Sequence, residues 1–145
     1  MPAIWSSDLA RFVEHCDTVA GEHDREHDRE LLEELFDLLE RGPAEICGPI
    51  IGAATRSQIG KLADAGCVNG AALLLAGNCG YMLSGAPDSL AIATIVAPYS
   101  SSEYSASGAT LACAICGAIA GALLETSSRI ADRVDSAPRA GRRYI

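Results

Sequence analysis

Residues 65–124 carry two charged side chains, Asp88 and Glu103, where the overall 21% charged composition would place about twelve in sixty residues. A run of that length is withdrawn from water, either by a packed protein core or by a bilayer. The charged segments on either side are then its wrapping or its water-facing flanks.

The flanks differ in sign. The first 64 residues hold fourteen acids against six bases, which accounts for the formal net charge of -8. Such a body repels polyphosphate, so nucleic acid is excluded as its partner. The last 21 residues hold five arginines against three acids and end Arg139, Arg142, Arg143, the pattern of a solvated basic tail. At 145 residues the chain is long enough for one core without staples, and six cysteines are too sparse for a disulfide scaffold. The opening residues lack a basic segment followed by an apolar one, so no signal peptide is expected. A reducing cytoplasm is therefore the expected location.

Along the chain the dominant period is helical. Ser6 and Ser7 precede Leu9, Phe12, Val13, Cys16 and Ala20 on one helix face, which predicts an amphipathic first helix capped by serine. Gly21 interrupts it, and the tandem His23-Asp24-Arg25-Glu26 and His27-Asp28-Arg29-Glu30 opens a second. Its stripe of Leu32, Leu35, Phe36 and Leu39 is flanked by Leu31 and Leu38 and stops at Arg41-Gly42-Pro43. Next come a short helical turn, a break at Gly48-Pro49 and a further helix over about 50–65.

Inside the low-charge stretch three pieces are separated by Ser84-Gly85-Ala86-Pro87 and by the serine-rich residues 100–107. Residues 68–83 read as helix. In residues 89–96, Leu90, Ile92, Ile95 and Val96 suit a buried strand as well as a short helix. Ser105 and Ser107 are candidate caps for a last helix reaching about residue 134, with a large face of Leu111, Ile115 and Ile119 and a small face of Ala114, Gly117 and Gly121. Such a helix is buried on both sides, and its small face admits another backbone.

The fold expected is all-α: a compact helical bundle in which a buried Gly/Ala-rich central hairpin is wrapped by acidic amphipathic N-terminal helices. Residues 1–136 form one helical domain, with an acidic amphipathic part (1–64), an apolar core part (65–124) and an amphipathic helix end (125–136). Residues 137–145 form the basic tail. The alternative is a membrane-inserted hairpin, since residues 104–124 and 65–87 are free of charge, with both termini on the cytoplasmic side by the arginine bias. Its driving force is small: residues 106–124 hold five leucines and isoleucines, about -2 to -3 kcal/mol, against three glycines, a serine and a threonine. Asn69 and Asn78 weaken the other span.

Candidate chemistry is thin. Cys113-Ala-Ile-Cys116 sets two thiols one helical turn apart, and Cys67 and Cys79 could approach from the preceding segment to hold zinc or an iron-sulfur cluster, or to act as a redox pair. The flanks are alanine and isoleucine, which favours thiols that simply fill the core. His23 and His27 share a helix face with Glu26 and Glu30 beside them, half of a transition-metal site that lacks ligands from elsewhere. All three histidines lie within the first 27 residues, and the glycines fit neither phosphate-binding fingerprint, so no catalytic residue is named. The function expected is that of a small non-catalytic protein acting through packing surfaces, as a homo-oligomer or as an assembly or partner-binding subunit. The alternatives are a cysteine-based metal or redox protein and the membrane hairpin.

Overall fold

The computed structural model describes residues 3–19, 25–52, 54–100 and 102–144, with side chains for 4–18, 26–52, 54–100 and 102–130. In chain order the elements are α1 (Ala3–Val19), α2 (Arg25–Arg41), α3 (Ala44–Ile51), α4 (Arg56–Asp64) and α5 (Val68–Ala76). Three strands come next, β1 (Gly80–Ser84), β2 (Ala91–Val96) and β3 (Glu103–Gly108), and then α6 (Leu111–Tyr144). The strands form one antiparallel sheet in the order β1-β2-β3. The molecule is therefore α+β, and the all-α bundle expected from the sequence is corrected.

The N-terminal half is close to its sequence pattern. Leu9, Phe12 and Cys16 of α1 and Leu31, Leu32, Leu35, Phe36, Leu38 and Leu39 of α2 are buried. The serine cap of α1 is not found, because the helix already begins at Ala3. That brings Trp5 onto the buried face, where its Nε1–H donates to the Leu38 carbonyl at 2.8 Å. Leu38 lies in the last turn of α2, whose carbonyls have no partner within the helix, so the indole supplies one. Gly42 ends α2 for a reason of space: a Cβ there would lie 2.6 Å from both the Trp5 ring and Cys47 Sγ.

Gly48-Pro49 does not break the chain, since α3 runs through both. The break comes at Gly52, φ +59, and Thr55 then starts α4 with a reciprocal capping box to Gln58. Both asparagines of the apolar stretch serve helix ends other than their own. The Asn78 backbone N–H donates to the Ile50 carbonyl and its Nδ2 to the Pro49 carbonyl, each at 3.1 Å. The Asn69 Oδ1 accepts from the Ala112 N–H at 3.0 Å.

The central stretch departs most from expectation. Helix α5 stops at Gly77, φ +53, where a Cβ would come within 1.9 Å of the Ile50 carbonyl oxygen. The chain then turns into strand, and the register runs Tyr81↔Ile95↔Tyr104 and Leu83↔Ala93↔Ala106 on one face. The other face carries Met82↔Thr94↔Ser105 and Ser84↔Ile92↔Ser107. Ser105 and Ser107 are thus strand residues and not helix caps.

Helix α6 is central, packed against β2 and β3 and against α1, α2 and α5, while α1 also touches β3. Its small face does receive a close neighbour, but that neighbour is strand β3: a Cβ at Gly117 would meet the Ala106 Cβ at 3.3 Å. The segment Leu111–Ile130 is long and apolar enough to cross a membrane by length and composition, while 72% of its most apolar window is buried within the protein. Residues 65–87, the other half of the considered hairpin, are not one helix but α5 followed by β1.

Candidate functional site

The four thiols singled out from the sequence are spread over the molecule. Cys113 and Cys116 are buried on α6, Cys67 is exposed at the start of α5, and Cys79 is buried just ahead of β1. The cysteine that approaches Cys113 belongs instead to α1: Cys113 Sγ lies 3.9 Å from the Cys16 carbonyl, in weak hydrogen-bond contact. Among the described residues no three or more His, Cys, Asp or Glu are grouped so as to hold a metal ion.

Burial sets the state of these thiols. Removal from water disfavours the thiolate and pushes Cys79 up to about 11, from an ordinary 9.0. Cys113 also rises to about 11, through burial first and then the nearby Asp28 and Asp17 charges. Cys116 and Cys16 are raised further, again chiefly by burial. Thiols held protonated in this way are poor nucleophiles and poor ligands.

Of the two candidate histidines, His23 lies outside the described residues. His27 stands edge-on to His15 with ring centroids 6.4 Å apart, and His15 Nδ1 is 3.2 Å from Glu34 Oε2 on the α1–α2 surface. This is a solvated polar contact between two helices.

A polar cluster gathers where α6 begins. Thr110 Oγ1 accepts from the Cys113 N–H at 3.1 Å and donates to Asp28 Oδ1 at 2.8 Å, while Asn69 holds the Ala112 N–H. Two of the orphan N–H groups of the helix start are thereby satisfied, one by its own cap and one by a neighbouring helix. Asp28, only 7% exposed, anchors the cap from α2. The cluster ties three helices together at one end of the core.

The sheet presents a different kind of surface. Among the described residues, strand β1 has a hydrogen-bonded neighbour on one side only, β2. Around it lie Met82 (67% exposed), Tyr81 (52%), Leu90 (48%) and Ile92 (46%). Met82 and Ile92 stand on the outer face of the sheet. Tyr81 stands on the inner one, on the strand farthest from β3, whereas α6 packs on β2 and β3. Large apolar side chains exposed together, in a stretch with almost no charge, are the composition of an association surface. The sequence places these residues in an apolar segment but does not distinguish outward from inward; the signal that could have done so is the alternation Glu103-Tyr104-Ser105-Ala106-Ser107-Gly108, whose exposure alternates with period two until Gly108.

Comparison with protein-family models, with curated proteins and with solved structures finds no match to this chain.

Proposed function

We propose that the protein is a non-catalytic association module that works through the β1–β2 side of its sheet, as a homo-oligomer or as a subunit binding a protein partner. The observation that carries this reading is that Tyr81, Met82, Leu90 and Ile92 are all exposed on and beside a strand pair that holds no charged residue, Met82 and Ile92 on its outer face and Tyr81 on its inner one. The buried thiols support it from the other side, since their pKa values lie well above the range of a nucleophile working near neutrality.

Light-scattering mass across a chromatographic peak tests the reading, with the wild-type chain beside Met82→Asp and Ile92→Asp. Association that weakens in both variants, with unchanged far-UV circular dichroism, is the expected result. A strictly monomeric chain that turns over a substrate overturns the reading.

A further inference from the structure

We infer that the occupant of this surface is a second copy of the chain, whose β1 pairs antiparallel with the first β1 about a two-fold axis at Met82. The two sheets would then form one six-stranded sheet in the order β3-β2-β1-β1-β2-β3. The inference rests on the association reading above and names its partner.

Three observations converge on it. The edge is unprotected: Gly80-Tyr81-Met82-Leu83-Ser84 holds no charge and no proline, and its register with β2 runs through five consecutive pairs without a bulge. Exposed edges in soluble proteins ordinarily carry one of those blocks. The other edge strand, β3, begins with Glu103 and lies against α1, so the two edges are not equivalent.

The second observation is self-complementarity. A two-fold at Met82 sets Met82 opposite its own copy on the outer face and Tyr81 opposite Leu83 on the inner one. The half-exposed Tyr81 ring then gains an apolar cross-strand neighbour.

Charge is the third. The chain is at -8, so two copies repel unless they meet where acids are distant. Residues 80–84 and the β2 residues they pair with carry no charge, so no like charges are set directly opposite one another across the contact. The nearest acid in sequence is Asp88, in the loop between β1 and β2, and the strand edge that a second copy presents is itself uncharged. The contact is small, below about 1,200 Å² in total, which fits a reversible dimer. Residual repulsion makes it tighter as salt rises.

Hydrogen exchange of the wild-type chain, read at low and high protein concentration, tests the pairing without any variant: amides of residues 80–84 exchange more slowly at high concentration. In a Cys67→Ser background, which removes the exposed thiol, Met82→Cys is joined into a covalent dimer by a short bismaleimide, while Ser107→Cys on β3 is not. Met82→Asp raises the dimer dissociation constant about tenfold or more. A dimer whose 80–84 amides are indifferent to concentration, and in which Met82→Cys does not cross-link, overturns the β1 pairing and leaves the association reading standing. A chain that stays monomeric throughout overturns the second copy as occupant, and the association reading then falls only with a demonstrated turnover.

Discussion

The Tyr104 ring lies directly over Gly121: a Cβ at that glycine would sit 2.0 Å from Tyr104 Cε1, closer than any real contact. Strand β3 and helix α6 therefore meet at ring-to-backbone distance, and only glycine permits it. Replacing Gly121 with alanine forces the ring or the helix to move, an overpacking cost of about 1–3 kcal/mol. Gly60 in mid-α4 is the contrast, since a methyl group there would meet nothing within 4 Å: Gly60→Ala is expected to stabilise by about 0.5–1 kcal/mol. Urea midpoints of the two variants should move in opposite directions. Tyr104→Leu combined with Gly121→Ala should lose less than the sum of the single changes.

The indole of Trp5 is a second discriminating position. Trp5→Phe keeps most of the apolar contact but leaves the buried Leu38 carbonyl without its donor, at a cost of about 1–3 kcal/mol. Trp5→Ala adds a cavity and should cost about 3–5 kcal/mol. Thermal unfolding ranks the two, and equal losses would remove the hydrogen bond from the explanation.

At the start of α6, Thr110→Val removes the hydroxyl that both accepts from Cys113 N–H and donates to Asp28. The expected loss is about 1–2 kcal/mol, while Thr110→Ser retains most of the stability. Chemical denaturation of the two variants measures the difference.

Most helices were legible in the sequence, whereas of the sheet only β2 was, as one of two readings for residues 89–96. In α1, α2 and α6 apolar side chains recur at helical spacing and face the core, so period and burial agree. In β2 they disagree: β-branched Ile92, Thr94 and Val96 point outward, and the alanines 91 and 93 point inward with Ile95. The period misleads because the larger apolar side chains do not all lie on the buried side, which on β3 meets α6 through Ala106 at Gly117 and the Tyr104 ring at Gly121. Serines on β3 read as caps for the same reason: they occupy the solvent side of a strand whose buried side holds Tyr104, Ala106 and Gly108. The candidate surface was hidden with the sheet, since Met82 and Ile92 are apolar and nothing local marks them as outward.

The thiols give a pH-dependent expectation. In the unfolded chain they ionise near the ordinary 9.0, whereas folded Cys79 and Cys113 ionise only near 11. Above pH 9 the unfolded state therefore releases protons that the folded state retains. The stabilising preference is complete below pH 9 and is lost as pH rises toward about 11. Denaturant midpoints at pH 8 and pH 10 should show the fall, and Cys113→Ala should lessen it. In the native state near neutral pH, Cys67 is expected to be alkylated rapidly, with the five buried thiols reacting only on unfolding.

Sedimentation velocity over a concentration series tests most directly whether the chain associates with itself through the uncharged β1–β2 side of its sheet. The expected result for a 15.1 kDa chain is a reversible shift from one-chain to two-chain mass, moving to lower concentration as salt is raised and abolished by Met82→Asp. A single species of one-chain mass at every concentration and salt would contradict it.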